Sequence, residues 1–374
     1  MKNMVENIKI SARQFAILVI LFSVGTTILV IPGSLANEVK QDAWIAALIG
    51  TAFSFVFVAL YLAVARMFPT MTLVEIIETL LGKWLGKAVS LTFVFFSFYN
   101  ASDLLYYAGI FLTTEIIPDT PHEAIHILCA CILIMGIRLG LETLARSAEL
   151  LFPVFILLLL LLVLSILVTP DLWKVENIQP MFHSGVKPMI RAVLLFSSTF
   201  TLPLIVLLMI FPKSINKIKK AEKNFFIAIL IAGVCLIVLI LLTILVLGPD
   251  LSARRMYPSY ILAKSIRVGN FLQRIEAILA IMWLITIYFK MSIYFYAVVI
   301  GFVQTLKSKD YRSYTLPLGM ILVTTSLFSH PNVAHSAKYD HEIWPFYALT
   351  YGLVLPILLL VINKLRKIIT NYKK

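Results

Sequence analysis

Two ionisable side chains interrupt stretches otherwise apolar enough to lie inside a bilayer. Asp103 sits in SFYNASDLLYY (residues 97–107) and Lys290 in MWLITIYFKM (residues 282–291). On a helix, Tyr99 falls at i−4 from Asp103, with Tyr106 and Tyr107 at i+3 and i+4. Met282 and Thr286 stack on the face of Lys290 at i−8 and i−4. A charge at the bilayer centre costs at least about 2.5–3.5 kcal/mol on insertion scales, so such residues line a solute pathway or find a partner. At ~1.5 Å rise per residue the two lie at similar depths. This predicts that Asp103 and Lys290 face one hydrated cavity, placed to pair there or to take part in ion or proton coupling. The alternative is that each satisfies a neighbouring backbone group or a lone water.

The other polar clusters read as structural. Arg146 has Glu142 at i−4 and Glu149 at i+3, a helical ion-pair patch. Arg274 and Glu276 are two residues apart and do not face one another on a helix, so a contact with Arg254 and Arg255 is expected instead. His122 and His126 have a spacing that suits a metal but lack a third ligand, and no metal is expected. Cys129, Cys131 and Cys235 fall in apolar stretches and are expected as small buried hydrophobes. No phosphate loop, serine elbow or zinc-hydrolase motif occurs, so neither enzyme activity nor a cofactor is expected.

The elements that position these residues are membrane spans. The chain has 374 residues, 60% of them hydrophobic and 14% charged, with a mean hydropathy of +0.95. Ten spans are expected, near 14–36, 43–65, 88–117, 122–138, 145–168, 187–211, 224–247, 272–304, 315–329 and 344–363. The first is too long for a signal-peptide core and is expected to be retained. Amphipathic helices are expected at Thr70–Lys87, where Thr72 and Glu75 form a capping box, and at Tyr257–Val268. The net charge of +13 lies in short connections, which argues for membrane topology and against nucleic acid. Of the 32 Lys and Arg, 21 fall on the side of the N-terminus and 8 on the other, so both termini are expected in the cytoplasm. The basic loop Lys213–Lys223 is expected to anchor against anionic lipid.

Spans one and six are interrupted. Span one carries Gly25-Thr26-Thr27 at its middle and Pro32-Gly33 before its end; span six carries FSSTFTLP, residues 196–203. Gly and Pro weaken or break a helix, and in lipid the freed backbone groups must be satisfied by protein or a water-filled cavity. Ten spans divide five and five, so two such halves have opposite orientations. That is the pattern of inverted-repeat transporters, whose solutes bind at the breaks. A buried lysine near the first break can stand in for a coupling sodium ion or carry a proton.

Ile10-Ser11-Ala12-Arg13-Gln14 before the first break, and Phe271-Leu-Gln-Arg274-Ile-Glu276 followed by Trp283 and Lys290, resemble the endospore germination permeases. These are the B subunits of nutrient germinant receptors, in the amino acid–polyamine–organocation superfamily. The resemblance covers essentially the whole chain. It implies an all-α integral membrane protein with a LeuT-like 5+5 inverted repeat and broken helices 1 and 6. Residues 1–374 would form one transmembrane domain, with repeats at about 10–168 and 186–363. It also implies a sensor of a small nutrient such as an amino acid, in the inner spore membrane, with A and lipoprotein C subunits as partners. Gly25, Thr26, Thr27 and Ile28 would then meet the ligand through freed backbone groups. Ser197, Ser198, Thr199 and Leu202 would join them, with Tyr99, Asp103, Met282 and Thr286 added from the helix-face argument. A proton- or sodium-coupled amino acid transporter uses the same pocket, and a passive channel along the Asp103–Lys290 cavity is a third reading.

Overall fold

The computed structural model describes residues 9–266 and 274–372, and among these every extended element is helical. Phe271, Leu272 and Gln273 of the second motif, Arg267 and Val268 of the second amphipathic piece, and the start of expected span eight lie outside the described residues. In chain order the helices begin with α1 (Ala12–Val24), α2 (Thr27–Val39), α3 (Ala43–Met67), α4 (Leu73–Leu81) and α5 (Lys83–Phe111). There follow α6 (His122–Leu139), α7 (Leu141–Leu167), α8 (Val186–Phe200), α9 (Ile218–Leu247), α10 (Pro249–Arg254) and α11 (Pro258–Ser265). The last are α12 (Glu276–Leu306), α13 (Arg312–Phe328), α14 (Val333–Lys338), α15 (Trp344–Leu349) and α16 (Leu355–Tyr372). Large hydrophobic side chains left exposed on α6, α7, α13 and α16 are Leu, Ile, Val, Met and Phe, as a lipid-facing surface requires, and Cys131 on α6, expected buried, is exposed with them, while Cys129 and Cys235 are half-buried. α12 is buried along most of its length and packs against α5, α1 and α7.

Eight helical stretches are long and apolar enough to cross a membrane, a property of multi-pass membrane proteins. Expected spans one and nine are the two outside that count. Span one is split, and its second half runs on through a 3-10 turn (Lys40–Asp42) into α3; span nine is the 17-residue α13. The number ten is therefore not established by length and apolarity.

Both expected breaks are present. α1 stops at Gly25, whose φ and ψ of 16° and −120° leave the helical region, and α2 restarts at Thr27. α8 stops at Phe200 and the chain continues as a 3-10 helix, Leu202–Met209, with Pro203 in its first turn. Tyr61 of α3 fixes the start of that 3-10 helix, its hydroxyl lying 3.0 Å from the Leu202 carbonyl and 2.9 Å from that of Gly352. Ser54 bonds Thr201 beside it.

The expected amphipathic helix at Thr70–Lys87 is two elements. The Thr72–Glu75 capping box forms and starts α4. α4 ends at Gly82, whose φ of 86° suits glycine, and Lys83–Lys87 open α5 instead. The apolar face of α4 packs on α5, α12 and α16, so protein covers much of it.

The face carrying both termini is closed by polar ties. Ser11 and Gln14 form a reciprocal cap on α1. Ile10 pairs with the segment after the second break, its N–H donating to the Ser214 carbonyl (2.8 Å) and its carbonyl accepting from Asn216 (3.1 Å). Lys213 in that segment binds both oxygens of Glu75, at 2.7 and 2.9 Å. Arg146 pairs with Glu142 at 2.6 Å as expected, but Glu149 does not join them. It takes Gln14 at 3.1 Å and Arg13 at 3.5 Å, because α1 packs on α7 at that turn. Arg274 meets Glu276 at 3.7 Å, against expectation, because it precedes the first residue of α12 and is free of helical spacing.

Candidate functional site

A proline in each interrupted span leaves a carbonyl without its donor: Pro203 just after the second break, and Pro32 inside α2, beyond the first break at Gly25. In a continuous helix the N–H of residue i bonds the carbonyl of i−4, and proline has no N–H to give. Pro32 therefore orphans the carbonyl of Ile28, and Pro203 that of Thr199. A buried orphan carbonyl costs about 1–3 kcal/mol, so the fold must supply donors. Ser259 of α11 donates to the Ile28 carbonyl at 2.7 Å. Lys290 of α12 donates to the Thr199 carbonyl at 3.1 Å and to Thr26 Oγ1 at 3.2 Å, so one ammonium joins both interruptions. Its Nζ stands 5.5 Å from the centre of the Phe22 ring. One turn earlier on α12, Thr286 Oγ1 is 3.4 Å from the Gly25 carbonyl.

Between the breaks lies a hollow of about 60 Å³. It is lined by Thr26, Thr199, Lys290 and Tyr294 on one side and by Asn100, Asp103, Tyr107 and Asp340 on the other. That volume holds a few waters, below the several hundred Å³ of an ordinary ligand pocket. The hollow shares Val30, Ser34, Tyr107 and Asp340 with a vestibule of about 630 Å³ that also contains Arg254, Arg255 and Glu342. The vestibule approaches from the side opposite the termini, where α10 and α11 cross α2. Gly33 makes that crossing possible: a side chain there would meet the Arg255 carbonyl and the Pro258 ring at 3.0 Å.

The acidic wall has its own hydrogen-bond chain. Asp103 Oδ1 is 2.7 Å from Nε2 of the fully buried His330 imidazole, and His330 Nδ1 is 3.1 Å from His335 Nδ1. The Tyr107 hydroxyl donates to Asp340 Oδ2 at 2.6 Å. Asp340 is held in a π-helical turn, Tyr339–Ile343, that faces α5. His330 and Asp340 lie between expected spans nine and ten. The signal available was KYDHEIW (338–344), charges running directly into an apolar helix.

Of the residues expected at the site, Thr26, Asp103, Thr199 and Lys290 line the hollow, and Gly25 and Thr286 touch beside it. Asp103 and Lys290 do share a cavity, but they do not pair: no carboxylate among the described residues lies within 4 Å of Lys290, and Asp103 is taken by His330. Each is satisfied nearby: the first meets the His330 imidazole, and the second meets the Thr26 hydroxyl and the Thr199 carbonyl. Thr27 bonds the Ser23 carbonyl, and Ile28 and Met282 are buried in helix packing. Tyr99 meets Tyr339 with ring centres 5.6 Å apart and planes tilted by 54°. Ser198 bonds the Leu195 carbonyl. Ser197 and Leu202 face a separate apolar cavity of about 570 Å³ with Phe53 and Val186. His122 and His126 bond Thr113 and Ser326 at 3.0 and 2.9 Å.

The sequence profile described as spore germination protein matches residues 9–334. The chain belongs to that family. Among similar spore germination proteins, protein KB of Bacillus subtilis (strain 168) is 30% identical over 97% of this chain and 96% of its own length. YndE of the same strain is 25% identical over 96% and 97%. The fold is that of LeuT-like transporters. The crystal structure of MhsT in complex with L-phenylalanine matches with a TM-score of 0.66 at 14% identity, covering 95% of this chain and 98% of that one. Mhp1, a nucleobase-cation-symport-1 family transporter in a closed conformation with bromovinylhydantoin bound, matches at 0.65 and 10%, covering 93% and 79%. This spore germination protein thus shares its architecture with transporters rather than with enzymes.

Proposed function

We propose that this chain is the B subunit of a nutrient germinant receptor, which takes a small amino-acid-like solute into the hollow between its two breaks. The observation that carries this reading is Lys290, which bonds the Thr26 hydroxyl at the first break and the released Thr199 carbonyl at the second, on the wall of a cavity reached from one face. A solute that displaces those bonds acts on both interrupted spans at once, and differential affinity for two arrangements is what a sensor requires. The whole of residues 1–374 would act as one transmembrane domain in the inner spore membrane, with repeats at 10–168 and 186–363, the termini in the cytoplasm, and A and C subunits receiving the change. At about 60 Å³ the hollow must widen to admit a solute. Spores carrying Lys290→Met, with the receptor present at normal levels, are expected to lose their response to the nutrient; a normal response rejects the proposal.

A second reading is a coupled amino acid transporter, favoured by the fold and by the fixed cation beside the first break. Solute flux by this chain alone in proteoliposomes supports transport, and its absence alongside nutrient binding supports sensing.

A further inference from the structure

Away from the hollow, α6 and α13 pack against each other and turn apolar side chains outward. They touch at Gly319, where a Cβ would collide with the Ile134 side chain. Beside that contact lies a groove of about 510 Å³, lined by Cys131, Ile134, Met135 and Arg138 of α6 and by Arg312 and Leu316 of α13. The four α6 residues fall at i, i+3, i+4 and i+7, which is one face of a helix, and Leu316 follows Arg312 by one turn. Arg138 is the last residue but one of α6 and Arg312 the first of α13, so both guanidiniums stand at the rim on the face carrying the termini. From that rim the apolar wall runs about 10 Å inward to Cys131, at ~1.5 Å per residue.

Both arginines are exposed, and neither side chain makes an ion pair or hydrogen bond among the described residues. The acids nearest in sequence are engaged elsewhere. Glu142 binds Arg146 at 2.6 Å, and Asp310 takes the backbone N–H of Arg312 at 3.0 Å and the Ser313 hydroxyl at 2.5 Å. The connection before α13 adds two more exposed cations, Lys307 and Lys309. A lone arginine at a helix end needs no more than its snorkelling reach to water. Two on one rim, above an apolar groove in a bundle of spanning helices, make a slot with fixed polarity.

We propose that this groove binds one acidic glycerophospholipid, its phosphodiester held between Arg138 and Arg312 and one acyl chain lying along Ile134, Met135 and Leu316. Guanidinium forks match phosphate oxygens, and basic pockets between spanning helices suit acidic headgroups. A zwitterionic lipid brings its own cation to the same rim and is disfavoured there. A free phosphate ester has the anion but leaves the apolar wall uncovered. The groove shares no residue with the hollow or the vestibule, so the assignment is independent of the solute site. It also gives the lipid a structural effect. His126 of α6 bonds Ser326 of α13 at 2.9 Å at the far end of this helix pair, and the phosphate supplies the corresponding tie at the rim.

The test uses the purified full chain in detergent with phosphatidylglycerol carrying a diazirine in one acyl chain; after irradiation the adducts are located by peptide mass spectrometry. Adducts are expected within 131–139 and 312–320. Unlabelled phosphatidylglycerol is expected to displace them at a concentration about thirtyfold below that of phosphatidylcholine with the same chains, as two arginine contacts provide. Arg138→Gln with Arg312→Gln is expected to abolish that preference, with adducts on α7 and α16 and the lipid-free unfolding midpoint unchanged. Met135→Trp keeps both arginines but fills the groove, and is expected to lose the groove adducts. Equal displacement by the two lipids overturns the proposal, as does an arginine variant that keeps the preference. Adducts spread evenly over α6, α7, α13 and α16 reduce the groove to ordinary lipid contact and also overturn it. Displacement by glycerol 3-phosphate as effective as that by the lipid assigns the rim to a soluble phosphate ester instead. Absence of groove adducts overturns the lipid assignment whether a second copy of the chain or nothing covers this face.

Discussion

The Lys290 ammonium lies 3.2 Å from the Thr26 hydroxyl, and the same nitrogen reaches the Thr199 carbonyl at 3.1 Å. A residue of α12 thus fills the place of the N–H that Pro203 lacks and holds the first break against the second. The interruptions and the lysine form one device, in which the proline makes the vacancy and the lysine occupies it.

That dependence is measurable as a double-mutant cycle. Lys290→Met strands the Thr199 carbonyl in the protein interior, with an expected cost of about 1–3 kcal/mol. Pro203→Ala restores an N–H four residues on, so the double variant is expected to recover much of the lost stability. Thermal or denaturant unfolding of the purified chain checks this, and strictly additive effects rule out the pairing. The nutrient response should stay lost in the double variant, since the cation is gone.

Gly25→Ala tests how closely the first break approaches α12. A Cβ there collides with the Lys290 side chain and comes within 2.9 Å of the Phe22 carbonyl. Displacing the lysine is expected to abolish the response at a stability cost of about 1–3 kcal/mol. Gly82→Ala is the control. Its Cβ meets nothing within 4 Å, although the φ of 86° makes it strained, so some stability should be lost and the response kept.

The positions of the breaks were legible because glycine and proline act locally: four residues on one strand of sequence state where a helix stops. The cavity between them was legible in outline, since Asp103 and Lys290 sit where charge is expensive. What the sequence hid was pairing across the bundle. Asp103 was separated from His330 by most of the chain, and nothing in either neighbourhood names the other. Asp340 falls between expected spans nine and ten, in a π-helical turn that has no periodic signature. Arg274 differs for a simpler reason: it lies two residues before the helix begins, where helical spacing does not apply.

The ties at the terminal face are expected to hold the hollow shut on that side. Lys213–Glu75 and Arg13–Glu149 are partly exposed pairs, each worth at most about 1 kcal/mol, so removing them should change access more than stability. In a chain lacking its three native cysteines, Ser23→Cys reports on the buried turn just before the break. Glu75→Gln with Glu149→Gln is expected to raise its maleimide labelling rate several-fold, with the unfolding midpoint shifted little. An unchanged rate shows that these contacts do not guard the hollow.

α2, the half of span one that follows the first break, has a dependence of the same kind as the one at Pro203. Pro32 leaves the Ile28 carbonyl without its helical donor, and Ser259, from the short helix α11, supplies the hydroxyl at 2.7 Å. Ser259 and the carbonyl are both buried, so water cannot substitute. Ser259→Ala is therefore expected to destabilise the chain by about 1–3 kcal/mol, and Pro32→Ala in that background to restore part of the loss by returning the N–H. Because α11 also borders the vestibule through α10, amide exchange in residues 27–39 should rise in Ser259→Ala and fall back in the double variant. If exchange there is unaffected while stability drops, Ser259 acts through packing alone and the hydrogen bond to Ile28 is incidental.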